Sequence, residues 1–140
     1  VIEKDVETQE EDEEPLPTGN ERILFVDDEQ VILYVAEEML KQLGYDVVTQ
    51  KSSVEALELF RAEPDRFDLV ITDMTMPKMT GDQLALELMK IRPDIPIILC
   101  TGFSHKISEE QAKEIGIKAF VMKPLVRRGM ADIIREVLGD

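Results

Sequence analysis

Residues 68–81 read DLVITDMTMPKMTG. The run 68–72 (DLVIT) is short, branched and continuously apolar after its first residue, which predicts a strand covered on both faces. An acid, Asp73, follows it directly. A loop containing Pro77 comes next, and a helix is predicted over 81–92, with Leu84, Leu88 and Ile91 on one face.

The same unit recurs outward in both directions. Strands are predicted at 22–27 (RILFVD), 46–49 (DVVT), 95–100 (IPIILC) and 118–122 (KAFVM). A helix over 30–43 places Ile32, Val35, Ala36, Met39, Leu40 and Leu43 at i, i+3, i+4 spacing, with Gly44 as its stop. Ser52 opens a capping box with Glu55, starting a helix that runs to about residue 61. A short helix spans 108–115 before Gly116, and a last one spans 127–138 with Met130, Ile133, Ile134 and Val137 inward. Five strand–helix units with no hairpin signal imply right-handed crossovers and a five-stranded, doubly wound parallel α/β sheet.

The 140 residues include 16 Lys+Arg and 30 Asp+Glu, a net charge of -14, with a normal apolar share of 44%. That charge argues against direct nucleic-acid binding, which needs a basic face. Half of it sits in residues 1–20, where eight acids face Lys4 alone and are followed by Pro15, Pro17 and Gly19. This segment reads as an acidic, disordered linker, and residues 21–140 as one domain. The single Cys100 forms no internal disulfide and predicts a reduced, cytoplasmic setting; it reads as a buried apolar residue. No apolar run reaches the roughly 18–20 residues of a membrane span, and no signal peptide is visible, so no direct membrane contact is expected of this segment. The first residue is Val1 rather than Met, which suggests a piece of a longer chain.

In an open α/β sheet the site lies at the carboxyl ends of the strands. The polar residues there are Asp27, Asp28 and Glu29 after the first strand and Asp73 after the third, with Thr75 close behind. Thr101 and Gly102 follow the fourth, and Lys123 and Pro124 the fifth. Three carboxylates gathered together repel one another, and a hard cation such as Mg²⁺ relieves that repulsion. Lys123 adds a cation and Thr101 a hydroxyl. Such a site suits phosphoryl oxygens, and a carboxylate within it can act as nucleophile and form an acyl phosphate.

The segments ILFVDDE (23–29), DLVITDMTMPKMTG (68–81), PIILCTG (96–102) and AFVMKPL (119–125) together resemble the response-regulator receiver domain. The resemblance covers everything from Glu21 onward, and it implies a flavodoxin-like fold of strand order 2-1-3-4-5. It further implies that Asp73 is the phosphoacceptor, and that Asp28 and Asp73 ligate Mg²⁺ directly. Asp27 would help through water, and the Thr75 backbone carbonyl would supply another ligand. Thr101 would bond a phosphoryl oxygen, Lys123 would pair with it, and the Lys123–Pro124 bond would be cis. Thr101 and Phe120 would form a two-state switch. The implied partners are a histidine kinase core or a His-containing phosphotransfer domain.

The acidic lead and the end of the chain just after the last helix look like the C-terminal receiver of a hybrid sensor histidine kinase. A stand-alone response regulator is the alternative. A flavodoxin-like flavin binder is more remote, because Asp27, Asp28 and Glu29 would repel a cofactor phosphate. No GxxxxGK[ST] motif supports a P-loop. The resemblance further implies that Thr75 and Phe103 would flank the path of an attacking water; neither is an acid or amide that could orient it, so slow self-dephosphorylation is expected. His105 reads as a solvent-facing loop residue.

Overall fold

The computed structural model describes residues 15–102 and 109–139. Five parallel strands, β1 (Arg22–Val26), β2 (Asp46–Gln50), β3 (Leu69–Asp73), β4 (Ile97–Thr101) and β5 (Ala119–Met122), pair in the order β2-β1-β3-β4-β5. Helices α1 (Gln30–Gln42), α2 (Ser53–Ala62), α3 (Gly81–Ile91) and α4 (Glu109–Ile115) make the four crossovers, and α5 (Arg127–Leu138) follows β5. This is the doubly wound order expected from the sequence.

Side chains alternate along each strand, so the sheet feeds two cores. Ile23, Phe25, Leu69, Ile71, Ile98 and Cys100 meet α1 and α5, packing with Leu33, Ala36, Leu40, Met130, Ala131 and Ile134. Leu24, Val26, Val70, Ile97 and Leu99 meet α2 and α3, packing with Ala56, Phe60, Leu84 and Leu88. β3 and β4 are buried along their whole length, which is why they read as unbroken apolar runs.

Several boundaries move for local reasons. Asp68 stays outside β3 because its carboxylate accepts from the Arg22 backbone N–H at 2.8 Å. Pro96 has no N–H to give the ladder, and β4 begins at Ile97. On α1 the buried stripe is Leu33, Ala36 and Leu40, whereas Val35 is 45% exposed, contrary to its expected inward position. The apolar residues of this helix span more of its circumference than one sheet face can cover. Ser52 caps α2 as expected, its hydroxyl accepting from the Glu55 N–H at 3.2 Å.

Packing also begins upstream of residue 21. Leu16 lies against the α1/α5 core, and the Gly19 N–H donates to the Leu43 carbonyl at 3.0 Å. Glu21 then pairs with Arg135 of α5. Gly19 lets its backbone lie against the Tyr45 ring, which a Cβ would strike. Residues 1–14 of the expected linker lie outside the described residues.

Among the described residues no helix is long and apolar enough to cross a membrane. Cys100 is 1% exposed, and burial pushes its thiol pKa up to about 12. A maleimide at about pH 8 is therefore expected to spare it in the folded protein and to modify it fully in urea. Rapid labelling without denaturant would show that β4 opens readily.

Candidate functional site

The C-terminal ends of β1, β3, β4 and β5 converge at one sheet edge, and the polar residues that terminate them converge too. Asp27 follows β1 and is fully buried. One of its carboxylate oxygens accepts from the Glu29 N–H at 2.9 Å and so fixes the turn into α1. The other accepts from Lys123 Nζ, also at 2.9 Å. Asp73 ends β3 at 5% exposure, and its Oδ1 lies 2.9 Å from the same ammonium. Lys123 thus bridges two buried acids. Asp28 is only partly buried, and carboxylate oxygens of Asp27, Asp28 and Asp73 lie within 4.8 Å of one another.

The loop after Asp73 is held on three sides. The Met74 N–H donates to the Cys100 carbonyl at 2.8 Å, and the Gly81 N–H donates to the Met74 carbonyl at the same distance. The buried Ser53 hydroxyl of α2 donates to the Met79 carbonyl, also at 2.8 Å. Lys78 takes up the positive φ, 71°, that the turn requires. The Lys123–Pro124 peptide is cis.

Burial raises the Asp73 carboxyl above its ordinary value, and the charges of Asp27 and Asp28 add to this, while Lys123 opposes it. Burial alone would lower the Lys123 pKa, but its hydrogen bonds to Asp73 and Asp27 outweigh that and hold it above its ordinary value. Three carboxylates against one ammonium leave an excess of negative charge. A cleft of about 320 Å³, lined by Asp28, Glu29, Asp73, Thr75, Gly102 and Lys123, opens over them. An all-oxygen donor set with surplus negative charge and water access fits a hard divalent cation such as Mg²⁺ rather than a softer metal.

The remaining residues singled out from the sequence fall differently. Thr101 is fully buried, and its hydroxyl donates to the Met122 sulfur at 3.3 Å instead of facing the cleft. Phe120 is half-buried against the α2/α3 core and lines a separate groove between α4 and α5. Thr75 is exposed at the cleft wall. Phe103 and His105 lie outside the described residues. The sequence reading did not assign a role to Met122 or Ser53 and took Gly81 only as a helix start. A hydroxyl at the head of α2 and a glycine behind Thr80 are the signals available there, but their targets are distant in sequence.

The profile of the response regulator receiver domain family matches residues 23–135. A probable transcriptional regulator, ycf27 of Porphyra purpurea, is 38% identical over 84% of this chain and 47% of its own length. The two-component response regulator ARR12 of Arabidopsis thaliana is 34% identical over 84% of this chain and 20% of its own. This chain therefore spans about half or less of these curated relatives. A receiver domain protein of Clostridium thermocellum superposes with a TM-score of 0.80 at 32% identity, covering 84% of this chain and 94% of that one. The receiver of sensor histidine kinase PA1611 from Pseudomonas aeruginosa, described with magnesium in its active-site cleft, gives a TM-score of 0.76 at 25% identity, covering 87% and 100%. The expected exclusion of nucleic acid is not supported, because relatives include transcriptional regulators. The acidic surface of one segment does not speak for domains elsewhere in a longer protein. Sheet order, acidic cluster and family match agree: the chain belongs to the response-regulator receiver domain family, the receiver module of two-component signal transduction.

Proposed function

We propose that Asp73 accepts a phosphoryl group from a phosphohistidine on a histidine kinase or phosphotransfer domain. The observation that carries this is Lys123, whose ammonium sits 2.9 Å from both Asp27 and Asp73 at the floor of an open acidic cleft. A carboxylate oxygen of Asp73 attacks phosphorus, the P–N bond breaks, and the imidazole leaves with a proton from solvent. An acyl phosphate remains on Asp73. Asp28, Asp73 and the Thr75 carbonyl would hold Mg²⁺, with Asp27 assisting through water, and the cation would neutralise phosphoryl oxygens. Lys123 supplies a second positive charge to the same oxygens. Asp27 orients Lys123 and, through the Glu29 N–H, the start of α1. Thr101 would exchange its sulfur partner for a phosphoryl oxygen, and Phe120 would turn inward behind it.

Receivers of regulators and of a sensor kinase are both among the similar proteins, and the role of Asp73 is the same in either host. Acetyl phosphate with Mg²⁺ should add one phosphoryl mass to the chain, mapping to Asp73, and a chelator should prevent it. Labelling at another residue, or labelling indifferent to the chelator, would overturn the proposal.

A metal ligand must be ionised, and burial raises the Asp73 pKa above its ordinary 3.8. Mg²⁺ affinity, read by titration calorimetry, is therefore expected to weaken as pH falls through that raised value. Affinity that holds constant down to the ordinary carboxylate range would contradict ligation by Asp73.

A further inference from the structure

We propose that Met122 is a positioning residue for Thr101 and a site of reversible oxidation, so that a hydroperoxide can modulate phosphoryl acceptance through its thioether. The idea rests on the reading of Asp73 and Thr101 given above. Thr101 and Met122 are register partners on β4 and β5. The Thr101 hydroxyl is fully buried and donates to the Met122 sulfur at 3.3 Å. A hydroxyl without a partner is costly to bury, and the sulfur supplies that partner. To reach a phosphoryl group on Asp73, Thr101 has to give this bond up. The sulfur therefore weights the resting arrangement against the engaged one.

The position is also chemically accessible. The chain has seven methionines. Met74, Met76 and Met130 are buried, Met39, Met79 and Met89 are half-buried, and Met122 is 52% exposed. Cys100, the competing sulfur, is 1% exposed. With a hydroperoxide, an S–O bond forms at Met122 as the O–O bond breaks. The sulfur loses two electrons, and the other peroxide oxygen leaves as water or alcohol. The product sulfoxide is polar and a stronger hydrogen-bond acceptor than the thioether, and dedicated reductases can reverse it. It would hold the Thr101 hydroxyl more firmly and so oppose phosphoryl binding. This differs from a structural role for Met122, which would alter stability without a preference between the two arrangements.

The test uses the whole 140-residue chain and beryllofluoride with Mg²⁺ as the phosphoryl mimic, with affinity read by NMR shifts of the Thr101 and Lys123 amides. Met122→Leu keeps the bulk and removes the acceptor, so it should bind the mimic about two- to fivefold more tightly, while the mimic-free protein melts a few degrees lower because the buried hydroxyl has lost its partner. Mild hydrogen peroxide should oxidise Met122 first by peptide mass and weaken binding about threefold or more in the parent chain. It should have no effect on binding in Met122→Leu. Equal affinities for parent and Leu variant, or an equal peroxide effect in both, overturn the inference. If the parent fails to bind the mimic, or Asp73→Asn binds it equally well, the underlying reading of Asp73 falls and this inference with it. Binding through Asp73 that is indifferent to residue 122 sinks this inference alone.

Discussion

Asp73→Asn is expected to abolish labelling by acetyl phosphate, with a loss of about a thousandfold or more, because the amide has no nucleophilic carboxylate oxygen to offer. The fold should survive. Asn is close to isosteric, and the neighbouring Asp27 keeps its own hydrogen bond to Lys123 at 2.9 Å. The pH dependence of stability supplies a second, independent readout. Burial raises the Asp73 pKa above its ordinary 3.8, so the folded state binds that proton more tightly than the unfolded chain does. The stability attached to the proton is complete below the ordinary value and is lost as pH rises through the folded one. In metal-free buffer the parent chain should therefore lose stability from this group on moving from about pH 4 towards pH 7, and Asp73→Asn should not. Mg²⁺ should restore the loss in the parent and do much less in the variant. Thermal melts at several pH values with chelator or Mg²⁺ provide the measurement. Labelling that persists in the variant removes Asp73 from the chemistry, and a steeper pH dependence in the variant removes it from the charge cluster.

The sheet and its acidic edge were legible because both depend on patterns along the chain. An apolar run that stops at a charged residue marks the carboxyl end of a strand, and Asp27, Asp28, Asp73 and Lys123 all stand at such ends. Parallel topology then brings those ends together whatever the details of packing. What the pattern could not supply was the direction of particular side chains. Thr101 stands at a strand end like the others, but the pairing of β4 with β5 turns its hydroxyl to the Met122 sulfur. Val35 fits a helical stripe on paper, yet the sheet beneath α1 takes Leu33, Ala36 and Leu40 instead. Leu16 sits in a segment whose charge and prolines read as linker, and one apolar residue there is enough to pack on the core. Each of these depends on a partner far away in sequence.

Gly81 and Gly129 should respond in opposite directions to the same substitution. Gly81 opens α3, and its amide donates to the Met74 carbonyl at 2.8 Å. A Cβ there would run into the backbone carbonyl oxygen of Asp73 and come within 2.9 Å of a Leu99 methyl. Backbone is the obstacle, so no rotamer change relieves the overlap, and either α3 or the end of β3 has to move. Gly81→Ala is expected to cost about 2–3 kcal/mol, typical of overpacking, and to lower the melting temperature by roughly 10 °C for a domain of this size. It should also slow labelling of Asp73, because the displaced carbonyl belongs to the phosphoacceptor itself. Gly129 lies in the first turn of α5 with nothing within 4 Å of the place where a Cβ would stand. Gly129→Ala there gains helix propensity and should stabilise by about 0.5–1 kcal/mol without touching the cleft. Calorimetric melts of the two variants decide the matter. A Gly81→Ala protein that melts with the parent would mean that the α3 start yields freely, and that the wall behind Asp73 is softer than its hydrogen bonds imply.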